Sequence, residues 1–291
     1  MKLPRAEVCQ RVPARLGEGP CWHAARGSLW WVDIAGQQLF EWTLAAGAVR
    51  THALPQMPGA VVVTDDGRLL AAMRDGIHLL APDNAAAEPY ATVPGHDPKQ
   101  SRFNDGKVDP QGRFWAGTLA LDGRKSASRL YRITRDRHVE PMLSGVTISN
   151  GLAWAPDGRT VYYVDSPTLR VQAFDFDGEK GMLHNGRTAI TLGDDDGWPD
   201  GCCMDAEGCL WLAHWGAAKL TRWDPVRARR LLSISFPVGN VTSCAFGGPK
   251  LDRLFVTTAR PDDGRPAEPE AGYLFEVAPG TTGAPIAPFM L

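Results

Sequence analysis

Four short stretches of the sequence place an oxygen-bearing side chain directly before a glycine. The side chains are Glu18 in LGEGPCW, Asp105 in FNDGKVD, Asn150 in SNGLAW and Asp200 in WPDGCCM. Carboxylate and amide oxygens bind hard divalent cations, and a following glycine leaves room for close approach to the backbone. One such pair alone is typical of a simple turn, so its meaning depends on whether the fold brings the four together.

A repeated pattern predicts the elements that position these residues. Runs of apolar, β-branched and aromatic residues recur every 40 to 49 residues, beginning at Leu29, Leu69, Phe114, Val161, Leu210 and Leu254. This spacing accommodates four short strands, and helical caps and 3.6-residue periodicity are almost absent. The sequence therefore predicts an all-β protein, a six-bladed β-propeller of four-stranded antiparallel blades.

The organisation of the chain follows from the same repeats. No linker or low-complexity segment interrupts them, so residues 1–291 are predicted to form a single six-bladed β-propeller domain. The segment from Ala6 to Val12 is expected to pair as an outer strand with the C-terminal GYLFEVAPG. This pairing would cover two sheet edges that are otherwise exposed.

Equivalent positions at the start of the six inner strands can be aligned. They hold Glu18, Pro58, Asp105, Asn150, Asp200 and Thr242. Because inner strands surround the central channel, these residues should converge at one mouth of it. Carboxylates that converge without balancing cations repel one another unless a cation lies among them.

The residues thus predict a site for one divalent metal ion. All-oxygen ligation suits Ca²⁺, Mg²⁺ or Mn²⁺ better than a structural zinc site, and the identity of the ion stays open among Ca, Mn, Mg, Zn and Fe. The ligand count leaves positions for water or substrate, as catalysis requires.

Composition and missing motifs exclude several function classes. A formal charge of -2 with 22% charged residues gives no reason to expect nucleic acid or a membrane as partner. No apolar run approaches the ~20 residues that cross a bilayer, and the six cysteines form no CxxC pair. We therefore expect reduced thiols and a cytoplasmic location.

Motifs of other enzyme classes are missing from the sequence. It contains no GxSxG, P-loop, GxGxxG or HExxH motif. His214 in LAHWG is the one histidine at a strand end near the channel, and we expect it to be a buried histidine with satisfied hydrogen bonds.

Several motifs occur in the order found in a known family. LGEGPCW, RFNDGKVDPQGRFWAGT, SNGLAWAPDG, WPDG and FGG resemble senescence marker protein (regucalcin), gluconolactonases and luciferin-regenerating enzymes, and are most similar to bacterial sugar lactonases. The resemblance implies Glu18, Asn150 and Asp200 as metal ligands. It also implies Arg102 and Asn104 as substrate contacts. Alignment on the glycines selects Asp105 in place of Asn104, so both stay candidates, with Asn104 first.

The resemblance implies metal-dependent hydrolysis of a sugar-acid (aldono-) lactone to the free aldonic acid, with a small-molecule sugar lactone as substrate. A carboxylate beside the metal can act as general base, and Asp200 is the best candidate for this catalytic role. The alternative is a non-catalytic propeller that binds Ca²⁺ or a partner protein.

One segment departs from the family pattern. Where regucalcin-like members carry an acidic residue, GTLALDG presents Ala120 and Leu121, with Asp122 next. The identity of the lactone therefore stays open. The sequence also leaves the oligomeric state open.

Overall fold

A computed structural model describes residues 4–291, which form six four-stranded antiparallel sheets in a six-bladed β-propeller. The predicted fold is confirmed. The first blade contains β2 (Gly17–His23), β3 (Ser28–Asp33), β4 (Gln38–Thr43) and β5 (Val49–Ala53). The second contains β6 (Pro58–Val63), β7 (Leu69–Met73), β8 (Gly76–Leu80) and β9 (Ala87–Ala91). The third contains β10 (Ser101–Val108), β11 (Phe114–Ala120), β12 (Ser128–Ile133) and β13 (Val139–Val146).

The remaining three blades repeat this order. The fourth contains β14 (Ser149–Trp154), β15 (Thr160–Asp165), β16 (Arg170–Asp177) and β17 (Met182–Thr191). The fifth contains β18 (Trp198–Met204), β19 (Leu210–Trp215), β20 (Lys219–Asp224) and β21 (Arg229–Ser235). The sixth contains β22 (Asn240–Gly247), β23 (Arg253–Ala259), β24 (Leu274–Val277) and β1 (Ala6–Gln10). Short 3-10 turns lie at Ala24–Arg26, Ser166–Thr168 and Asp194–Asp196.

The N-terminal strand closes the ring. β1 is the outer strand of the sixth blade and pairs antiparallel with β24, with Ala6 opposite Val277 and Val8 opposite Phe275. This confirms the predicted pairing of the two ends of the sequence. The sixth blade is therefore built from both ends of the chain, and the edge of β24 is covered.

Hydrophobic side chains fill the space between neighbouring blades. Each of six buried clusters joins two adjacent blades, as where Leu70 of the second blade meets Phe114 of the third. Leu29 and Phe255 belong to the cluster that joins the first blade to the sixth. The apolar runs lie in the second strand of each blade. They repeat because the two faces of this strand pack against two such interfaces. Over residues 4–291, no helix is long and apolar enough to cross a membrane.

A buried aspartate stabilises the turn after two of the inner strands. The sequence DxxGxxW recurs in the third and fifth blades, with Asp109 and Asp205 at its start. Asp109 accepts hydrogen bonds from Arg113 N (3.0 Å), Arg113 Nε (2.6 Å) and Trp115 Nε1 (2.9 Å). Asp205 accepts the equivalent bond from Trp211 Nε1 (3.0 Å). The motif thus fixes the turn and the tryptophan at the second position of the following strand.

Replacing Asp109 should therefore destabilise the blade. Asp109→Asn removes the charge that pairs with the mostly buried Arg113, so we expect the free energy of unfolding to fall by about 3 kcal/mol. Asp157→Asn is the matched control, because exposed Asp157 accepts a single backbone N–H from Arg159. Its effect should stay within about 0.5 kcal/mol. Urea unfolding measures both, and equal losses would contradict this role of the motif.

Candidate functional site

Three carboxylates from different blades meet at one end of the central channel. Glu18 of β2, Asp105 of β10 and Asp200 of β18 are each 5% exposed. Burial raises the pKa of Glu18 to about 8, and the neighbouring charge of Asp105 adds to this rise. Burial, Glu18 and Asp105 likewise raise the pKa of Asp200 well above its usual range. The structure therefore brings together the residues that the inner-strand alignment selected, at a cost in electrostatic repulsion.

Two carboxylate oxygens in this cluster have no partner. Asp105 Oδ2 and Asp200 Oδ1 are buried and accept no hydrogen bond within the part of the chain that the structure describes. A buried anionic oxygen without a donor is unfavourable, and a cation among the carboxylates would satisfy it. Residues 4–291 contain no group of three His, Cys, Asp or Glu side chains placed to hold a metal. The predicted ligand set has only two residues of these types, with the amide of Asn150 as the third.

The channel supplies two cationic side chains, of which the sequence analysis named only Arg102, as a substrate contact. Burial lowers the pKa of Arg102 to about 10. The nearby carboxylates of Glu18 and Asp200 oppose this fall. Lys107 donates from Nζ to Cys202 O at 2.6 Å; burial acts to lower the pKa of the lysine, but Asp105 and the neighbouring cysteines together raise it. The expectation of carboxylates without balancing cations was therefore wrong in part. Side chains alternate between the two faces of a strand, so Lys107, two residues after Asp105 in β10, could have been expected on the same face as Asp105.

The amide of Asn150 lies in a hydrogen-bonded group with the predicted substrate pair. Asn104 Nδ2 donates to Asn150 Oδ1 at 2.7 Å and to Ser149 O at 2.8 Å. Arg102 donates from its guanidinium to Asn104 Oδ1 at 2.8 Å. Asn150 Nδ2 in turn donates to Ser166 Oγ at 2.7 Å. Three of the predicted residues, Arg102, Asn104 and Asn150, are thus linked in a chain of hydrogen bonds. Ser166, which the sequence analysis did not name, continues this chain.

Bulges in the inner strands place Asn104 and Asp105 at different positions of the repeat. In β10, β14 and β18 the pairing with the second strand shifts after Phe103, Ser149 and Pro199, and resumes three residues later. A β-bulge of this kind redirects its side chains and often lies beside an active site. Asn104 therefore occupies the same bulge position as Asn150 and Asp200. Asp105 occupies the second position, where the other two blades have glycine.

Those glycines permit close approach of neighbouring inner strands. A Cβ added at Gly151 would lie 2.6 Å from Asp200 O, and one at Gly201 would lie 2.1 Å from Ser243 Oγ. Asp105 is tolerated in the third blade, where its Oδ1 accepts from Gly106 N at 2.7 Å. Asp105, selected by the glycine alignment, therefore lies one residue after the bulge position of Asn104, and both residues stay candidates.

The mouth above the carboxylates has an apolar component. Trp198, two residues before Asp200 in β18, is 47% exposed. Leu121, which follows the end of β11, is 43% exposed. Trp198 is therefore an exposed aromatic side chain close to Asp200 in the chain, while Trp215 is partly buried.

Two further predictions concern side chains outside the cluster. All six cysteines are free thiols, as expected, with Cys203 Sγ and Cys244 Sγ 3.4 Å apart. His214 is fully buried, with Nδ1 2.7 Å from Asp196 O and Nε2 2.6 Å from Thr221 Oγ1. His214 is therefore a structural histidine with both nitrogens satisfied, as the sequence indicated.

Comparison with known proteins gives consistent results. Residues 16–260 match the model of the SMP-30/Gluconolactonase/LRE-like region. Regucalcin of Macaca fascicularis is 37% identical over 283 residues, which cover 94% of each chain. A solved structure of a calcium-binding protein, regucalcin, from Agrobacterium tumefaciens is 31% identical over 98% of this chain and 97% of its own, with a TM-score of 0.90. A luciferin-regenerating enzyme is 28% identical over 99% and 100% of the two chains, also with a TM-score of 0.90.

The buried His214 should make the fold sensitive to acid. Burial lowers its pKa from 6.5 to about 4, so the folded state prefers the neutral ring, and stability is lost as pH falls from 6.5 towards 4. His214→Asn keeps a donor for Asp196 O but cannot titrate. Between pH 7 and 4.5 the variant should lose about 2.5 kcal/mol less than the unaltered protein in urea unfolding. Parallel pH profiles for the two proteins would contradict this assignment.

Proposed function

Because the chain belongs to the SMP-30/gluconolactonase/LRE-like family, we propose that it hydrolyses the ring ester of a sugar-acid lactone with the aid of one divalent metal ion. The observation that carries the proposal is the group of Glu18, Asp105 and Asp200, buried together at the channel mouth with two unpartnered oxygens. Such a site suits a cation and a polar substrate better than an apolar partner surface.

Glu18, Asn150 and Asp200 would hold the ion in this proposal. Their donor set of two carboxylates and one amide oxygen fits a hard cation, and the orphaned oxygen of Asp200 supports the fit. We propose calcium first, since a full-length relative is described as a calcium-binding protein. When bound, the ion would act as a Lewis acid towards the ester carbonyl.

The proposed proton transfers belong to Asp200. One oxygen of its carboxylate would bind the ion and the other would accept a proton from an attacking water, and burial beside other carboxylates raises the pKa of this group. Water adds to the carbonyl carbon, the ring C–O bond breaks, and the departing ring oxygen takes up a proton. The product is the open-chain hydroxy acid.

Arg102 and Asn104 would orient the substrate, with Asp105 as a further contact. Arg102 carries several N–H groups, and those not used on Asn104 Oδ1 and Phe103 O can donate to lactone oxygens. The guanidinium remains charged at neutral pH even with its lowered pKa. We also propose that residues 1–291 act as one domain in the cytoplasm.

The second candidate function is calcium binding without catalysis, which the description of the relative from Agrobacterium favours. A pH-indicator assay over a panel of aldonolactones separates the two. Hydrolysis that EDTA abolishes and added metal restores supports the lactonase. Tight Ca²⁺ binding with no hydrolysis of any lactone would support the alternative.

Asp200→Asn tests the proposed base. The change keeps one ligand oxygen and removes the proton acceptor, so kcat at saturating metal should fall by about 10²- to 10⁴-fold. Metal affinity should weaken as well, because a charge is lost from the site. Metal occupancy by elemental analysis and thermal melting serve as controls. A folded, fully metallated variant with near-normal kcat would show that another group takes the proton.

Arg102→Met tests the proposed substrate contact. The substitution keeps an unbranched side chain but removes every donor, so KM for the best lactone should rise by at least ~10-fold. Calcium affinity by calorimetry should not fall, because Asn104 Nδ2 retains its bonds to Ser149 O and Asn150 Oδ1 and the loss of the Arg102 charge reduces repulsion of the cation. Unaltered kinetics across the whole panel would remove Arg102 from the substrate site.

A further inference from the structure

A directed chain of hydrogen bonds crosses three blades at the channel mouth. It runs from Arg102 to Asn104 (2.8 Å), to Asn150 (2.7 Å) and to Ser166 (2.7 Å), and it ends on Pro199 O (2.6 Å). The first member can only donate, and the last, a carbonyl oxygen, can only accept. Every intermediate group therefore has one permitted direction.

Ser166 sets the direction where the chain passes a proposed metal ligand. Its hydroxyl has a single hydrogen, which it donates to Pro199 O, so towards Asn150 it can only accept. The amino group of Asn150 must then face Ser166. The carbonyl oxygen Oδ1, the atom able to bind a cation, faces the opposite way, towards Asn104.

The same hydroxyl connects two proposed ligands. Pro199 is the residue directly before Asp200, so the bond from Ser166 holds the backbone that leads into the bulge of β18. Ser166 begins the 3-10 turn after β15 and is 2% exposed. Asp165, beside it, accepts from Thr147 N at 3.0 Å and Ile148 N at 2.9 Å. The turn is therefore tied to the segment that leads into Asn150 as well.

We infer that Ser166 is a positioning residue for the metal site: it fixes the orientation of the Asn150 amide and holds the strand that carries Asp200. The inference rests on the proposed function, in which both of these residues are ligands. Ser166 itself touches neither metal nor substrate. Its effect is on how well the ligands are placed before the ion arrives.

Calcium titration by calorimetry tests this role. Ser166→Ala removes the acceptor of the Asn150 amide N–H, so that only the bond from Asn104 still orients this amide, and it also releases Pro199 O; Kd for Ca²⁺ should therefore rise by about 10- to 100-fold. Ser28→Ala is the matched control. Ser28 is an equally buried serine that accepts from Trp30 Nε1 at 3.0 Å, at the opposite end of the first blade. Its replacement should leave the Kd unchanged.

A second background distinguishes positioning from general destabilisation. In Asn150→Asp the side chain has two equivalent oxygens and needs no fixed orientation, so adding Ser166→Ala should raise the Kd by clearly less than it does with Asn150 present; the remaining loss comes from the released strand of Asp200. Equal losses in both backgrounds, or unaltered binding by Ser166→Ala, would overturn the inference. If Ser166→Ala does not fold, Ser166→Cys gives the same comparison at nearly the same volume.

The unaltered protein separates this inference from the proposal beneath it. If it binds no Ca²⁺, Mg²⁺ or Mn²⁺, the proposed metal site fails, and the inference falls with it. If it binds one of them and Ser166→Ala binds as tightly, only the positioning role fails.

Discussion

Repulsion among buried carboxylates is the constraint on which the site depends. Glu18, Asp105 and Asp200 are held together in a place where ionised groups are poorly solvated, and their pKa values rise as a result. Arg102 and Lys107 offset part of the repulsion without closing ion pairs within 4 Å of these carboxylates in the described chain. Such an arrangement persists only because the packed blades around it are rigid.

The two ends of the inner strands have different roles in the propeller: one end carries the side chains of the mouth, and the other end stabilises the blade. At one end, bulges direct side chains such as Asn104, Asn150 and Asp200 to the axis. At the other, turns such as that of Asp109 are fixed by buried hydrogen bonds. Six interblade hydrophobic clusters join these parts into a ring. Side chains at the mouth can therefore be selected for chemistry, since stability comes from elsewhere.

Hydrogen bonding across blades explains how residues far apart in sequence act together. Arg102 and Pro199 are separated by almost one hundred positions, and yet one chain of donors and acceptors links them. Amide side chains suit this position because each carries a donor and an acceptor on opposite sides. A carboxylate in place of Asn104 would add to the repulsion, which gives a physical reason for an amide in the bulge of β10.

The sequence by itself determined the blade number, the strand repeat and the closure by both ends, and it predicted Glu18, Asn150 and Asp200 as residues of the mouth. It could do so because strand alternation and turn chemistry are local, and six copies of one pattern reinforce one another. It did not distinguish Asn104 from Asp105, because a bulge shifts register by one residue and leaves no mark in composition. It did not show that Ser166 bonds to Pro199 O or Lys107 to Cys202 O, because these carbonyls lie in another blade and only the folded ring brings them within hydrogen-bonding distance. The tertiary structure alone decided which atoms face the channel, and therefore how the site is oriented.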